Sequence, residues 1–349
     1  MEKLLSVVVP TYNMEKLLNR CLDSLILPSQ LMDLLEIIVV IDGSTDHSSE
    51  IAHSYNKRFP NSFVVIDKEN GNYGSCINAG LSRATGKYFR ILDADDEFNT
   101  EEFIKFIEAI ENLKSNVDTI ITNYSILFDK SNKIRYIKNN NLKYSTIMAF
   151  DSIDLWKSGN SSMAVMHAIT YRTDLLKEID FKQQTGISYT DTEYVFIPML
   201  YAQSIVLFDI SLYIYHMGRE GQTVTMTPNK KRTSQYYQVA LRLLNLYVQH
   251  YNRLNINIRH NLLCSLKNVV RSYFFYSLIF LPKEEDTENN LKGLKKLILS
   301  VDNEFWSYLL NIKQYGIKYI YLWDSKNKYL SENKIFSLLL NLYHSLKKD

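Results

Sequence analysis

The stretch Tyr88-Phe89-Arg90-Ile91-Leu92-Asp93-Ala94-Asp95-Asp96-Glu97 joins a short, mostly apolar segment to a run of carboxylates. Its first half has the character of a buried strand. Side chains alternate along an extended chain, so we expect Asp93 and Asp95 on one face. Neighbouring carboxylates repel each other unless a cation or a hydrogen-bond network lies between them. Mg²⁺ and Mn²⁺ take such oxygen ligands, commonly together with substrate phosphates. The stretch therefore predicts a divalent-metal site, with a solvated acidic turn as the alternative.

Three further strands are predicted upstream of this stretch. Uninterrupted apolar runs of the kind found in strands buried on both faces occupy residues 5–9, 37–41 and 63–66. Helical segments separate them, over residues 14–25, from about Asp46 onward, and over residues 76–84. Strands that alternate with helices in this way indicate βαβ units, and hence an α/β fold with a mostly parallel sheet and flanking helices.

Polar residues follow each of the four predicted strands. They are Thr11-Tyr12, Asp42, Asn70-Gly71 and the Asp93 to Asp95 segment. In open parallel sheets, ligands bind outside the carboxyl ends of the strands. Because all four clusters fall at that edge, we expect them to form one binding site.

The remaining chain changes character near Pro228. Upstream of it we predict a helix over residues 100–113, a strand at 118–122, an exposed hairpin or loop at 129–143, a helix at 171–179, a helix starting near Tyr189, and strands at 205–208 and 212–216. Downstream, helical patterns fill residues 237–248, 262–281, 291–301 and 334–348. We therefore predict an α/β domain over residues 1–228 and a helical C-terminal domain over residues 229–349.

Composition excludes several classes of protein. The chain has 349 residues, 46% of them hydrophobic, and a formal net charge of +2, which argues against general nucleic-acid binding. Its three cysteines have no paired spacing, which argues against a disulfide scaffold or a zinc site. Pro10 stops the short apolar run at the N-terminus, and three polar residues interrupt residues 262–281. We expect a soluble cytoplasmic protein.

Taken together, the segments at the strand ends resemble the inverting family 2 glycosyltransferases of the GT-A fold, which is Rossmann-like. The residues that carry the resemblance are Ser6-Val7-Val8-Val9-Pro10-Thr11-Tyr12-Asn13, Ile37-Ile38-Val39-Val40-Ile41-Asp42-Gly43-Ser44-Thr45-Asp46, Glu69-Asn70-Gly71, Asn78-Ala79-Gly80-Leu81, Ala84-Thr85-Gly86-Lys87-Tyr88 and Asp93-Ala94-Asp95-Asp96. Two positions depart from the family pattern. Ile41 stands where an acid often precedes Asp42, and Ile77 stands where an arginine often precedes Asn78. The resemblance leaves the diphosphate contacts open, with Lys87 or Arg219 as substitutes.

The resemblance implies a role for each matching residue. Tyr12 would stack on the nucleobase, and Asp42 would accept a hydrogen bond from the base imide, which favours uracil or thymine. Asp42 could also cap the following helix. Asp93 would face the ribose and the metal, with Asp95 the more direct metal ligand. The full set implied for the nucleotide donor is Pro10, Thr11, Tyr12, Asn13, Asp42, Asn70, Gly71, Asn78, Asp93, Ala94 and Arg219.

The general base is implied by position. In this family an acid lies at a helix start about one hundred residues after the acidic motif. Asp191 fits that place, with Glu193 as the second choice and an ordinary acid at a helix N-terminus as the structural alternative. The segment 218–223 resembles the family's flap over the diphosphate. His216 could approach the metal or could be a hydrogen-bonded core histidine.

The resemblance therefore implies an enzyme that transfers a sugar, with inversion, from a nucleoside-diphosphate donor to a hydroxyl of a glycan or lipid-linked glycan. UDP is the favoured nucleotide and Mn²⁺ or Mg²⁺ the cofactor. The C-terminal helices could form a homodimer or bring the enzyme to the inner face of the cell membrane. A degenerate homologue that only binds a partner remains an alternative. So does a sugar nucleotidyltransferase, although residues 10–13 lack the glycine-rich loop usual in those enzymes.

Overall fold

The computed structural model describes residues 2–138, 143–155, 163–218 and 229–333. These residues group into two compact units. The first contains the described residues up to 218 together with Asn255–Asn261, and the second contains the others.

One sheet forms the centre of the first unit. Among the described residues it has ten strands, in the order β3-β2-β1-β4-β9-β6-β10-β5, with β7 beside β6 and β8 beside β10. The strands are β1 (Leu5–Thr11), β2 (Leu35–Asp42), β3 (Phe63–Lys68), β4 (Tyr88–Ile91), β5 (Glu97–Phe98), β6 (Thr119–Phe128), β7 (Lys133–Ile137), β8 (Met148–Ala149), β9 (Ile169–Arg172) and β10 (Ser204–Met217).

Helices flank this sheet and connect its strands. They are α1 (Leu18–Asp23), α2 (Ser29–Met32), α3 (Ser48–Arg58), α4 (Asn72–Arg83), α5 (Thr100–Glu111), α6 (Thr173–Glu178) and α7 (Asp191–Met199). The predicted α/β class with a mostly parallel sheet is confirmed, since β1 to β4 and the pair β6–β10 run parallel. The sheet is nevertheless mixed, because β9 runs antiparallel between β4 and β6.

The apolar runs found in the sequence form the buried parallel strands. Every residue of β2 and of β4 is buried, as expected for strands covered by helices on both faces. Two charged residues nevertheless lie in β2. Asp42 is at its carboxyl end, and Glu36 accepts hydrogen bonds from the Ser6 hydroxyl at 2.6 Å and from Arg83 at 2.9 Å. Six strands run in the same direction, so their carboxyl ends meet at one edge of the sheet; they are β1, β2, β3, β4, β6 and β10.

Two predicted helices are shorter than expected, and the strands predicted at 205–208 and 212–216 form the single strand β10. The helix predicted over residues 171–179 begins only at Thr173, because Tyr171 and its neighbours pair with both β4 and β6 as strand β9. The helix predicted over residues 14–25 is reduced to α1, which starts at Leu18. Its predicted first turn is instead held by the loop after β2, where the Met14 amide donates to the Ser48 hydroxyl at 2.8 Å. In both places tertiary contacts outweigh the local helical pattern.

The second unit is helical. It contains α8 (Lys230–His250), the part of α9 (Ile256–Ile279) from Leu262 onward, α10 (Glu285–Leu299), α11 (Asn303–Asn311) and α12 (Tyr319–Lys326). Its core packs Phe274 against Trp306 and Trp323, with ring centroids 5.9 and 5.5 Å apart. Among the described residues no helix combines the length and apolarity needed to cross a membrane. The helix predicted over residues 334–348 lies outside the described residues.

Candidate active site

The loops after β1 and β2 are joined by hydrogen bonds between side chains and backbone. The side-chain oxygen Oδ1 of Asn13 accepts from the Thr45 amide at 2.8 Å, and the Glu15 amide donates to Asp46 Oδ2 at 3.0 Å. Asn13 adopts a positive φ of 52°, a conformation that asparagine tolerates better than most residues. We call residues 10–15, 42–48 and 68–71 the paired loops. Asn13 thus helps to hold this edge of the site together.

Asp42 is the charged centre of the paired loops. It is 3% exposed, and its Oδ1 accepts from Lys68 Nζ at 2.5 Å and from the Gly71 amide at 2.9 Å. The side-chain amide of Asn70 donates to the Asp42 carbonyl oxygen at 2.9 Å. Capping at the start of α3 falls to Asp46, whose Oδ1 accepts from the Ser48 amide. Asp42, Asn70 and Gly71, predicted at one site from separate strand ends, are therefore in direct contact.

The remaining predicted nucleobase residues lie at the end of β1. Thr11 is 1% exposed, whereas the Tyr12 side chain is 49% exposed. An exposed aromatic ring beside a rigid loop is available for stacking on a planar ligand.

The acidic stretch forms a turn, so the extended backbone assumed in the alternation argument is absent there. Strand β4 ends at Ile91, and the Asp96 amide donates to the Asp93 carbonyl oxygen at 3.0 Å. Asp93 and Asp95 are nevertheless partly exposed, while Ala94 and Asp96 are buried. Arg20 of α1 holds the turn by donating to the Asp95 carbonyl oxygen at 2.5 Å.

Two tyrosines orient the carboxylates of this turn. The Tyr73 hydroxyl donates to Asp93 Oδ1 at 2.9 Å, and the Tyr213 hydroxyl donates to Asp96 Oδ2 at 2.6 Å. Burial, together with the charges of Asp95 and Asp93, raises the pKa of Asp96 well above the usual aspartate range. Neither tyrosine nor Asp96 could be assigned a role from the sequence, because the residues in contact lie up to 117 positions apart along the chain.

Asp191 follows the acidic turn by about one hundred residues in the chain, but its charge acts on the same tyrosine, Tyr73, as the charges of the turn. Burial raises the pKa of Tyr73 well above its usual value, and the charges of Asp93, Asp191 and Asp95 add to the rise. The same three carboxylates, with Asp96, contribute to raising the pKa of Tyr215 to about 12, after burial as the main cause. We call Asp93, Asp95, Asp96 and Asp191 the acidic recess.

Asp191 is itself exposed to solvent. The surrounding protein atoms nevertheless reduce the solvation of its charge. This desolvation raises the pKa of Asp191, against the opposing effect of hydrogen bonds from the Thr192 and Asp191 amides. Glu193 differs: it is fully buried and its Oε2 accepts from the Gln184 amide at 2.8 Å. Of the two acids predicted at this helix start, only Asp191 is accessible to a substrate.

The segment that leads into α7, residues 181–190, is packed tightly on α4. Asn78 exchanges two hydrogen bonds with the backbone of Gln183, at 2.9 and 2.8 Å. A Cβ atom at Gly74 would lie only 2.1 Å from the Gln184 carbonyl oxygen. Asn78 was expected at the donor, and its side-chain amide is hydrogen-bonded to this segment. Arg219, the other distal residue expected there, lies outside the described residues.

Two histidines lie near the acidic turn. His216 is 3% exposed, and its ring nitrogens are 2.8 Å from Asp129 and 3.2 Å from Glu97. Burial opposes its charged form, but these hydrogen bonds outweigh that effect and raise the pKa of His216. This contact pattern is that of the hydrogen-bonded histidine considered above.

His167 was not predicted, and no motif in the sequence marks it. One of its ring nitrogens and one carboxylate oxygen each from Asp93 and Asp96 all lie within 4.8 Å of one another. Burial and the charge of Arg90 lower the pKa of His167 to about 4. Carboxylate oxygens and a neutral imidazole form a donor set that suits a divalent transition-metal ion.

Sequence comparison agrees with this arrangement. The family profile described as Glycosyl transferase family 2 matches residues 6–180, which is half of the chain. The chain belongs to glycosyl transferase family 2. It is therefore a glycosyltransferase, as predicted from the strand-end segments.

Other members of the family are similar over much of the chain. EpsJ of Bacillus subtilis, named a glycosyltransferase, is 26% identical over 280 residues, covering 77% of this chain and 79% of EpsJ. The minor teichoic acid biosynthesis protein GgaB of Bacillus subtilis is 24% identical over 267 residues, covering 75% of this chain but 29% of GgaB.

Solved structures show the same fold. S. aureus TarS 1–349, crystallised in complex with UDP-GlcNAc, superposes with a TM-score of 0.59 at 21% identity. The superposition covers 87% of this chain and 83% of that one. The GT-A fold expected from the resemblance is thereby confirmed.

Proposed function

We propose that this glycosyltransferase transfers a sugar, with inversion at the anomeric carbon, from a UDP-sugar to a hydroxyl of a glycan or lipid-linked glycan. One observation carries the proposal. The charges of Asp93, Asp95 and Asp191 all contribute to raising the pKa of the Tyr73 hydroxyl, although Asp191 lies far from the other two in sequence. This proximity supports placing the leaving-group site beside an acid that can act as the base.

The paired loops support binding of the nucleoside part of the donor. The exposed ring of Tyr12 is the candidate for stacking on the base, beside Pro10 and Thr11. Lys68 and the Gly71 amide hold Asp42 in a defined orientation, from which its carboxylate is the candidate acceptor for the imide N–H of uracil. The UDP-GlcNAc complex of TarS supports the choice of UDP.

Asp95 and Asp93 are the candidate metal ligands, supported by their partial exposure on one turn. Asp93, with the buried Asp96, also lies beside the imidazole of His167. A divalent ion bound there would offset the negative charge that grows on the leaving diphosphate, which is worth several kcal/mol. Arg20 and Tyr73 keep the turn and the Asp93 carboxylate in place for this role. The neighbouring Asp96 is buried and bound by Tyr213, so it acts as support.

Asp191 is the proposed general base. It takes the proton of the acceptor hydroxyl as that oxygen attacks the anomeric carbon, while the diphosphate leaves from the opposite face. This single displacement inverts the anomeric configuration. Accessibility and a raised pKa suit Asp191 to accept a proton near neutral pH, whereas Glu193 is already engaged with Gln184.

The acceptor is the least constrained part of the proposal. The name of GgaB associates that relative with teichoic acid biosynthesis, which favours a growing glycan as the acceptor. The helices α8 to α12 are the proposed means of pairing two copies or of approaching a membrane-bound acceptor.

The direct test is a screen of UDP-sugars for hydrolysis or transfer in the presence of Mn²⁺ or Mg²⁺. We expect turnover of at least one UDP-sugar, release of UDP, and a product whose anomeric configuration, read by NMR, is opposite to that of the donor. Asp95→Asn and Asp191→Asn should each strongly reduce turnover. Retention of configuration would refute the single-displacement mechanism, and calorimetry without any metal-dependent UDP binding would favour a catalytically inactive binding protein.

A further inference from the structure

His167 lies beside the acidic turn but is not hydrogen-bonded to it. Its donor atom lies within 4.8 Å of carboxylate oxygens of Asp93 and Asp96. Among the described residues, no hydrogen bond or ion pair joins its ring to either carboxylate. A histidine next to two acids ordinarily pairs with one of them, as His216 does with Asp129 at 2.8 Å. The His167 ring is therefore close to oxygen ligands and still has its nitrogen lone pair available.

Aromatic packing determines the orientation of this ring. Tyr215 stacks on it with centroids 4.6 Å apart and planes 28° apart, and Tyr213 meets it edge-on at 4.7 Å. Tyr124 lies on a further side at 5.6 Å. Three rings around one imidazole restrict its rotation, and a restricted ligand loses less entropy when it binds an ion.

Tyr213 links the orientation of His167 to that of the carboxylates. Besides packing on the His167 ring, its hydroxyl donates to Asp96 Oδ2 at 2.6 Å and accepts from the Asp93 amide at 3.3 Å. The imidazole and the acidic turn thus share one supporting side chain. Second-shell contacts of this kind commonly set the position of metal ligands.

Arg90 holds the backbone that carries His167. Its guanidinium is fully buried and donates to the His167 carbonyl oxygen at 2.5 Å, to Thr170 Oγ1 at 2.8 Å and to Thr122 Oγ1 at 3.2 Å. Burying a charged side chain is costly unless its hydrogen bonds are satisfied. These three hydrogen bonds offset the cost of burial and fix the short helical turn Met166–Ala168 that carries His167.

We propose that His167 is a nitrogen ligand of the divalent cation held at the acidic turn, and that it makes this site prefer Mn²⁺ to Mg²⁺. This inference rests on the metal-assisted function proposed above. Mg²⁺ is a hard ion that takes oxygen ligands and loses its waters reluctantly. First-row transition ions accept imidazole together with carboxylate.

The decisive measurement is electron spin-echo envelope modulation of the purified protein with Mn²⁺ and UDP. A coordinated imidazole gives modulation from its ¹⁴N nucleus, and a site of oxygen ligands alone gives none from the protein. We expect nitrogen modulation in the unaltered protein, its loss in His167→Gln, and its retention in His53→Gln. His53 is a matched control because it is a partly exposed histidine paired with Asp67 at 2.7 Å on the outer side of α3 and β3.

Calorimetry with the metal alone and with UDP gives a second readout. His167→Gln should weaken Mn²⁺ binding by about tenfold or more, because even the loss of a supporting contact around a ligand has effects of about that size. Mg²⁺ binding should change little, so the preference for Mn²⁺ falls. Circular dichroism on the same samples verifies that each variant is folded.

The outcomes separate this inference from the proposed function. Mn²⁺ bound without nitrogen modulation, or modulation that persists in His167→Gln, would overturn the role of His167 and leave metal-assisted transfer intact. Failure of the protein to bind Mn²⁺ in the presence of UDP would overturn both. Nitrogen modulation in a protein that turns over no nucleotide-sugar would support His167 as a ligand and contradict only the proposed function.

Discussion

The paired loops and the acidic recess lie at the same edge of one sheet, but their charges are balanced in different ways. In the paired loops the buried carboxylate of Asp42 has the ammonium group of Lys68 and a backbone amide as partners. In the acidic recess four aspartates from two distant parts of the chain lie close together. There the charges of Asp93 and Asp95 contribute to raising the pKa of Asp96, after burial.

The paired loops are stable without a ligand, whereas the acidic recess is stabilised by binding a cation or a proton. A satisfied carboxylate stabilises the loops without any ligand, so the side of the site proposed to bind the nucleoside is formed in advance. Carboxylates that repel one another lower the stability of the protein alone, and a bound cation or a transferred proton relieves that repulsion. Perturbed carboxylates of this kind are a common property of catalytic sites.

The largest expected effect lies in the acidic recess. Asp191→Asn should lower the transfer rate by about 10³-fold, since a general base contributes about 10²- to 10⁴-fold. Its affinity for UDP should stay within about twofold, because the base does not contact the nucleotide. The measurements are steady-state transfer and UDP calorimetry. Glu193→Gln is the matched control: glutamine can still accept from the Gln184 amide, so most activity should remain. If Glu193→Gln lowered the transfer rate more than Asp191→Asn, Glu193 would be the base instead of Asp191.

The next effect is on stability, in the paired loops. Lys68→Met leaves the buried Asp42 carboxylate without its cation and should lower the free energy of unfolding by about 2–3 kcal/mol. This is below the range for a fully buried pair, because the Lys68 side chain is 24% exposed. Urea denaturation measures the change. The double variant Lys68→Met with Asp42→Asn should recover most of the loss; if it does not, charge balance is not what stabilises these loops.

A smaller effect tests the contact that brings α7 to the site. Gly74→Ala places a Cβ atom 2.1 Å from the Gln184 carbonyl oxygen, so residues 183–184 must shift. We expect a loss of about 1–3 kcal/mol in unfolding free energy and a lower transfer rate. Gly293→Ala in α10 is the control: among the described residues outside its own helical turn, no heavy atom lies within 4 Å of the new Cβ, and we expect a gain of about 0.5–1 kcal/mol. Equal effects at both glycines would remove the argument from close packing.

The smallest effect is on pH dependence. Desolvation by the surrounding protein atoms raises the pKa of Asp191 from its ordinary value of 3.8, so the proposed base becomes protonated at a higher pH than a solvated aspartate. Transfer at saturating donor should therefore fall on acidification, by up to about tenfold per pH unit below that pKa. The rate as a function of pH measures the midpoint. A rate that stays constant down to pH 4, on protein shown to be folded, would contradict the role of Asp191.

Much of the fold could be predicted from the sequence because buried parallel strands require continuous apolar runs. The strands near residues 5, 37, 63 and 88 each have such a run. Since parallel strands end at the same edge, the polar residues that follow them could be placed together without coordinates. Strand β9 was missed because Ile169 and Tyr171 adopt an extended conformation to fill the space between two other strands, which no local pattern reveals.

The candidate site was predicted less completely. Asp42, Asn70 and Gly71 were expected together and are in contact. Asn78 was expected at the donor, but its partner is the backbone of Gln183, 105 residues away. Likewise, nothing around His167 in the sequence indicates that its ring would lie beside Asp93 and Asp96.

The sequence by itself determined the α/β class, the family and the strand ends at which polar residues gather, because these follow from residue order and the periodicity of burial. Only the tertiary structure decided how the charges are paired. It placed Lys68 on Asp42, Gln184 on Glu193, and His167 beside the acidic turn. The pKa and the reactivity of a carboxylate depend on distances to groups that the chain brings close only when it folds, and residue order does not encode those distances directly.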